Sequence, residues 1–403
     1  MEKRALIFMD SSSSKFWNIE LDGSSHTVNY GRTGTNGQSK TKDFDSDEEA
    51  KKSFDKLVTS KTKKGYVDAA AGAGGSDDDG DGVPDSQLPA AAFHSATKSG
   101  STYNHVKTFV GKKVQDYDAE KGPGKGGKTI YRFGSNWDDE DGFETGLNHF
   151  LESDGPAHAT GLVIGAWSVE MYENPAAETI AKLVENADKF PRLAALFFGE
   201  IVQMESEISW IQQSDISPLL AAFPKLEMLR VRGGEGLSIT NASHANLRGL
   251  AIETGGLGVD VVRSVLTGNF PKLEHLELWL GTEEYGGSSS VADLQPLFKG
   301  DLFPNLKHLG LRNCDYVDDI AGVIVNSPLV KRIESLDLSL GTLSDTGAQA
   351  LLSLPTDGAL KRVSIHHHWV TAPMVKKLQS LPFTMDTTGF QEEDEWRFVS
   401  VGE

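Results

Sequence analysis

A glycine-rich segment is the first candidate for chemistry in this chain of 403 residues. Gly122 to Thr129 matches the phosphate-loop spacing G-x-x-x-x-G-K-T, and its glycines also match G-x-G-x-x-G. Both motifs bind phosphate where a buried strand delivers the loop and a helix starts directly after it. Here polar residues precede the loop and the alternating run Thr129 to Phe133 follows it. We therefore expect a hairpin loop between two strands of a cap and no enzyme, with a nucleotide-binding enzyme as the remote alternative.

Two further segments carry residue types that bind metals. Asp77 to Asp85 has the alternating carboxylates that calcium prefers, but an EF-hand loop counted from Asp77 finds Leu88 where Glu is needed. His366, His367 and His368 are adjacent, and neighbouring strand residues point to opposite faces. We predict a solvated acidic linker at the first segment, with calcium as the alternative, and neither a metal at the histidines nor a cofactor.

The net charge of −19 is unevenly distributed. Residues 1–69 hold twelve Lys and Arg against eleven Asp and Glu, a net +1, so residues 70–403 carry −20. An acidic surface repels the phosphates of nucleic acids and membranes, whereas the first segment can touch a polyanion. Without a membrane-length apolar run or a signal peptide, and with Cys314 as the single cysteine, we expect a cytoplasmic protein and a buried Cys314.

A sevenfold pattern L-x-x-L-x-L organises most of the chain. Its first positions are Leu193, Leu226, Leu247, Leu273, Leu306, Ile333 and Leu360. Steps of 21 to 33 residues match one strand plus one helix per leucine-rich repeat. We predict an α/β solenoid over 105–403, with parallel strands on the concave side, helices on the convex side, and caps at 105–160 and 382–403. The predicted helices span 177–190, 216–223, 259–266, 320–329, 346–354 and 374–381.

Residues that alternate with the inward leucines are predicted to line the concave face. They are Arg230, Arg232, Glu253, Glu277, Trp279, Arg312, Asp337 and His366. An exposed tryptophan among charges is typical of a protein-binding hot spot. The hypothesis is a protein or peptide partner on this face; a Trp279 half covered by a neighbouring loop is the alternative.

Residues 1–69 have a different pattern. Strand-like runs flank a hairpin signal at Asp22-Gly23, and a helix with Ser46 as its cap follows. Residues 70–104 are rich in Ala, Gly and Ser and predict a flexible connector.

The first segment resembles the WGR domain. The matching residues include Lys15 to Ile19, Tyr30 to Gly34, Gly37-Gln38, Phe44, Ala50, Phe54, Lys61 and Lys64 to Tyr66, with Tyr30 in place of the name-giving tryptophan. The resemblance implies a nucleic-acid-binding module in which Tyr30 is the aromatic platform and Arg32 the phosphate contact, with Trp17 and Lys15 beside them. The alternative is that Tyr30 packs on Trp17 and Arg32 pairs with an acid.

Residues 105–403 resemble a bacterial leucine-rich-repeat family of unassigned activity. The resemblance is carried by stretches such as Phe109 to Val114, Ala195 to Ile201, Glu277 to Thr282 and Arg397 to Glu403. It implies a cytoplasmic repeat protein and supplies no reaction. We therefore expect a non-enzymatic adaptor that binds a protein or peptide and, through its first segment, DNA; the alternative is a protein interaction scaffold without a nucleic-acid role.

Overall fold

The computed structural model describes residues 2–10, 13–32, 38–44, 46–63, 67–68, 88–89, 92–93, 102–124, 127–170, 173–392 and 396–402. The chain divides into two compact units, Met1–Asp85 and Ser86–Glu403. The acidic segment Asp77 to Asp85, with its calcium alternative, and most of the predicted connector lie outside the described residues.

The first unit is a small antiparallel sheet with one helix. Its elements are β1 (Glu2–Asp10), β2 (Ser13–Asp22), β3 (Ser25–Arg32), β4 (Gln38–Asp43), helix α1 (Asp47–Lys63) and β5 (Val67–Asp68), with the strands in the order β4-β3-β2-β1-β5. The predicted hairpin is confirmed, since Gly23 takes the left-handed φ of 56° between β2 and β3. The predicted cap is confirmed too, because Ser46 Oγ accepts a hydrogen bond from the Glu49 amide at 3.2 Å.

The second unit is built on a twelve-stranded, mostly parallel sheet. Its strands are β6 (Thr108–Phe109), β7 (Lys112–Asp116), β8 (Thr129–Phe133), β9 (Gly161–Ile164), β10 (Ala195–Phe198), β11 (Met228–Arg232), β12 (Gly249–Glu253), β13 (His275–Gly281), β14 (His308–Cys314), β15 (Ser335–Asp337), β16 (Arg362–Ser364) and β17 (Thr384–Asp386). They lie side by side in chain order, and the pair β6 and β7 is antiparallel.

The fourth positions of the leucine pattern form one in-register column. Leu196 lies opposite Leu229, and the column continues strand by strand. Its further members are Leu250, Leu276, Leu309, Leu336, Val363 and Met385. Most of these side chains are 0 or 1% exposed. Each leucine is therefore buried by packing against the leucines of the neighbouring strands, which a single strand could not provide.

Helices cover the leucine face of the sheet. They are α2 (Gly142–Glu152), α3 (Gly155–His158), α4 (Ala177–Glu185), α5 (Ser217–Ala222), α6 (Val259–Thr267), α7 (Gln295–Phe298), α8 (Val317–Ile324), α9 (Pro328–Arg332), α10 (Asp345–Leu351) and α11 (Ala372–Leu378). The single helix predicted for 320–329 is wrong. Two helices meet there, because Pro328 begins α9 and Ser327 caps it by accepting from the Leu329 amide.

The glycine-rich segment does not form the predicted hairpin. It leads from β7 to β8, and these two strands are parallel, so the chain crosses over before it enters β8. The alternating run Thr129 to Phe133 is a strand, as predicted. Among the described residues, no helix has the length and apolar character needed to cross a membrane.

Candidate functional site

Trp17 and Tyr30 are direct partners on β2 and β3 of the first unit. Trp17 is buried in the core between sheet and helix, where Lys61 Nζ lies 5.5 Å from its ring centre. Tyr30 is half-buried at the margin of the same cluster. A buried indole offers no face to a nucleic-acid base, so Trp17 does not fit the contact predicted for it, and Tyr30 is the more exposed of the two rings.

Cationic residues lie on both sides of Tyr30. Lys15 and Arg32 are strand partners two residues beyond the Trp17–Tyr30 pair, although their side chains lie outside the described residues. On the other side, the edge strand β4 pairs with β3 and exposes Lys40 and Lys42. No local sequence signal marks these two lysines. Only the register of β4 places Lys40 opposite Val28, two residues from Tyr30, with Lys42 opposite His26.

In the second unit, the sheet face opposite the helices is called the polar face. It carries the eight residues predicted for binding, namely Arg230, Arg232, Glu253, Glu277, Trp279, Arg312, Asp337 and His366. Strand register groups them, since Arg232 lies opposite Glu253 and Trp279 lies opposite Arg312. The eight residues lie on one face, as predicted. Their exposure to solvent differs strongly from one end of the polar face to the other.

The covering segment, which is made of the described residues between 88 and 109, lies over the first part of the polar face. Its buried residues are Ala92, Phe93, Val106 and Phe109, with Leu88 packed against them. They pack against the apolar residues of this face, which are Val163, Ala195, Phe197, Met228 and Ala251. The predicted connector is therefore not exposed throughout, because its later residues complete a second core on this side of the sheet.

Arg248 binds the covering segment to the sheet. Its guanidinium donates to the backbone carbonyl of Leu88 and, at 3.0 Å, to Glu227 Oε2, which also accepts from the Leu88 amide at 2.8 Å. The guanidinium lies 4.9 Å from the ring centre of Phe93. Gly249 makes room for that ring, because a Cβ at this position would lie 2.8 Å from it.

Arg230, Arg232 and Glu253 form a buried ionic triad. Arg230 Nε donates to Glu253 Oε1 at 2.6 Å, and Arg232 Nε donates to Oε2 at 2.9 Å. Both guanidinium groups also lie over the Phe197 ring, at 4.3 and 5.3 Å. All three side chains are fully buried, so the prediction that they line an accessible surface is wrong. Both arginines lie against Phe197, and the covering segment packs on that same ring.

Glu277 is the hub of a second buried network. Its Oε1 accepts from Trp279 Nε1 at 2.8 Å and from Arg312 Nη1 at 2.7 Å. Burial alone raises the pKa of Glu277, but the Arg312 charge and two nearby histidines outweigh it and hold the pKa well below its ordinary value. Trp279 is 0% exposed, so its predicted role as an exposed hot spot is wrong.

The last strands of the polar face remain open. A cavity of about 380 Å³, the groove cavity, lies over β14 to β17. Its charged and apolar lining includes Arg312, Asp337, Arg362, His366, Met385 and Asp386. Arg362, His366 and Asp386 are exposed, and Asp337 is partly exposed. Of the predicted binding residues, Asp337 and His366 are thus the two that face solvent, with Arg312 at the floor.

A cluster around Glu200 was missed by sequence reasoning. Glu200 is 0% exposed and accepts from His105 Nδ1 at 2.9 Å, the Val106 amide at 2.6 Å and Arg132 Nε at 2.5 Å. The hydrogen bond to Glu200, followed by one to Glu205, raises the pKa of His105 to about 9. No local motif joins these residues, since the chain brings them together from distant segments.

The glycine-rich segment lacks the surroundings of a phosphate loop. Thr129, where the motif expects the first turn of a helix, instead begins β8. The cavity bounded by Gly124, Gly127, Lys128 and Thr129 holds about 40 Å³. Among the described residues, that volume has room for about one water molecule.

The adjacent histidines and the cysteine are packed. His367 and His368 are buried and contact the carbonyls of Phe398 and Thr387, and burial lowers the pKa of both rings. His366 faces the groove cavity instead, so the three rings do not converge. Cys314 is buried as predicted, and burial raises the pKa of its thiol well above the ordinary value.

Comparisons with known proteins agree with this division. The WGR domain family model matches residues 2–73. Protein YfeS of Escherichia coli (strain K12) is 45% identical over 64 residues, which are 16% of this chain and 26% of that protein. Protein YehF of the same strain is 40% identical over 67 residues, 17% of this chain and 24% of that protein. The chain thus spans about a quarter of these relatives.

One solved structure is similar along almost the whole length. The crystal structure of a protein from Bacteroides fragilis is 31% identical, covers 99% of both chains and superposes with a TM-score of 0.66. The identity and coverage together extend the likeness beyond the first unit. The chain carries an N-terminal WGR domain, a module of the nucleic-acid-binding type, and belongs to the same family as this Bacteroides fragilis protein.

Proposed function

We propose that this protein is a non-enzymatic adaptor whose second unit is a leucine-rich-repeat solenoid that binds a protein or peptide. The solenoid assignment is supported by the strand order, which follows the chain from β6 to β17, and by the in-register leucine column. Such stacking gives each repeat contacts with its neighbours and leaves one extended face for a ligand.

The observation that carries the binding proposal is the groove cavity at the open end of the polar face. Its formal charges are Glu277, Asp337 and Asp386 against Arg312 and Arg362, a net −1 with neutral histidines. The surrounding unit is strongly acidic, with residues 70–403 at −20. A partner segment with lysine or arginine side chains is attracted by this field and finds Asp337 and Asp386 in the groove.

A peptide titration tests this. The probe is a fluorescein-labelled peptide of alternating lysine and leucine, and its counterpart has glutamate in place of lysine. We expect the full chain to bind the basic peptide and not the acidic one. The Asp386→Asn variant should bind the basic peptide with about fivefold lower affinity, roughly 1 kcal/mol, as for the loss of one surface charge pair. The matched control is Asp260→Asn, an exposed carboxylate on the helix side. Equal binding of both peptides, or equal loss in both variants, would sink the proposal.

The WGR domain is assigned a nucleic-acid role within the same proposal. Its support is the family match together with Tyr30 at the margin of the core and Lys40 and Lys42 on the neighbouring edge strand. An aromatic ring beside cationic side chains is the usual composition of a single-strand or DNA-end contact. The second candidate, a protein scaffold without a nucleic-acid role, is favoured by the near-neutral charge of residues 1–69.

Gel shifts of the full chain separate the two candidates. The DNA probes are a nicked duplex and a blunt duplex at low salt, because phosphate contacts weaken with salt. We expect affinity to fall in Tyr30→Ala and Arg32→Ala but to persist in Lys52→Ala, which removes an exposed lysine of α1. Absence of any shift at low salt would favour the scaffold.

A further inference from the structure

Three side chains bring metal-ligand atoms together at the inner end of the groove cavity. His275 and Glu277 are two residues apart on β13 and share the polar face, and His308 is the direct partner of His275 on β14. Their ligand atoms all lie within 4.8 Å of one another. Glu277 Oε2 is 3.6 Å from His275 Nε2 and 3.9 Å from His308 Nε2.

The Glu277 carboxylate is oriented for this arrangement. Its Oε1 is occupied by the Trp279 indole at 2.8 Å and the Arg312 guanidinium at 2.7 Å, and its Oε2 faces the two imidazoles. Outer-shell donors of this kind commonly fix a carboxylate that binds a metal through its other oxygen. Donor atoms around a tetrahedral zinc ion lie roughly 3.3 Å apart, given bonds of about 2.0–2.1 Å. The imidazole nitrogens, at 3.6 and 3.9 Å from Glu277 Oε2, must therefore move about 0.3 and 0.6 Å closer to it, and both rings must also turn.

We propose that His275, Glu277 and His308 form a binding site for a divalent transition metal of the zinc type. Two imidazoles and one carboxylate are a ligand set that leaves a coordination position open. Glu277 and His308 line the groove cavity, which supplies both an entry path and the direction of that open position. The site does not depend on the proposed peptide partner.

The packing around the three ligands also determines which metal ions the site prefers. The two rings are stacked, with centroids 4.0 Å apart and planes 11° from parallel, so both must rotate about χ2 before their Nε2 lone pairs converge. The χ2 torsion of histidine has a broad minimum, which permits this rotation. Arg312 repels any cation, so the site favours ions that bond strongly to imidazole and excludes magnesium and calcium.

Metal titration of the full chain, without a histidine tag and after treatment with a chelator, tests the site. We expect one equivalent of Co²⁺ to bind with visible absorption typical of four-coordinate cobalt, Zn²⁺ to displace it, and Mg²⁺ not to bind. The binding is expected to be lost in His308→Gln and in Glu277→Gln. It is expected to persist in His366→Ala, the matched control, because His366 is an exposed histidine of the same cavity outside the cluster.

X-ray absorption of the zinc-loaded parent protein gives a readout that needs no variant to fold. Two imidazole ligands and a shell completed by oxygen are the expected result. Failure to bind one equivalent of Co²⁺ or Zn²⁺, binding unchanged in folded His308→Gln and Glu277→Gln, or a shell without two imidazoles would overturn the proposal. The peptide titration above is run in the presence of chelator, so the two proposals fail independently.

Discussion

Arg312 Nη1 donates to Glu277 Oε1 at 2.7 Å across β13 and β14, inside the polar face and beside the groove cavity. The pair marks the boundary between two parts of one surface. Before it, Arg230, Arg232 and Glu253 are buried. After it, Asp337, His366 and Asp386 reach solvent. The same alternation of residues thus builds a core at one end and an open polar surface at the other.

Removing Arg312 is expected to destabilise the second unit strongly. Arg312→Met leaves Glu277 buried without its main counter-charge, which typically costs about 3–5 kcal/mol. The matched control is Arg263→Met, since Arg263 is largely exposed and its pair with Asp293 is worth less than about 1 kcal/mol. Urea unfolding of both variants measures the two free energies. Equal losses would show that the Glu277 network is not a buried ionic hub.

The covering segment is expected to be part of the folded core. Phe93→Ala removes a fully packed ring and should cost about 3–5 kcal/mol of unfolding free energy. Lys107→Ala, in the same segment but exposed, should cost less than about 0.5 kcal/mol. Chemical denaturation checks both. A Phe93→Ala variant as stable as the parent would mean that the segment does not cover the polar face in solution.

The buried leucines at the fourth and sixth positions of the repeat pattern are expected to hold the second unit together. Leu278 is 0% exposed, and Leu278→Asp places an unpaired carboxylate in this core, at a cost comparable to the total stability of about 5–15 kcal/mol of a typical domain. Circular dichroism should show that cooperative melting of the second unit is lost. Trp396→Asp, the same change at an exposed position, should keep the parent's melting temperature. A Leu278→Asp variant with an unchanged melting temperature would refute the repeat assignment.

The His105 and Glu200 pair is expected to make stability depend on pH. The folded pKa of His105, about 9, lies above its ordinary value of 6.5, because Glu200 and Glu205 accept hydrogen bonds from the charged ring. The contribution is therefore complete below pH 6.5 and is lost as pH rises toward and through 9. Unfolding experiments between pH 6.5 and 9 should show that the free energy of unfolding falls as pH rises, and that it falls less in His105→Gln. An NMR titration that places the His105 pKa near 6.5 would contradict the assignment.

The backbone of both units follows closely from local sequence signals. Asp22-Gly23 predicted the first hairpin, Ser46 predicted the cap of α1, and the spacing of leucines predicted most strands and helices of the second unit. These succeed because turn, cap and periodicity each depend on residues within a few positions of one another. The break at Pro328 was foreseeable too, since proline favours the first turn of a new helix.

The site was harder to predict because it depends on which segment covers which face. Alternation correctly placed Arg230, Glu277 and Trp279 on one side of the sheet, but it does not indicate that they are buried. Next to Arg230, the Phe197 ring is covered by Phe109, which lies far away in the chain. Contacts that depend on strand register are equally hard to predict from local sequence. Register alone stacks His275 on His308 and brings Lys40 near Tyr30, and no motif in either segment indicates it.

Hydrogen exchange of the full chain, with and without a saturating lysine-rich peptide, tests the adaptor account most directly. We expect protection to increase in β15 to β17, two of which end at Asp337 and Asp386, with the covering segment around Phe93 unchanged. Protection confined to the helices, or release of the covering segment with new protection in β10 to β12, would contradict it.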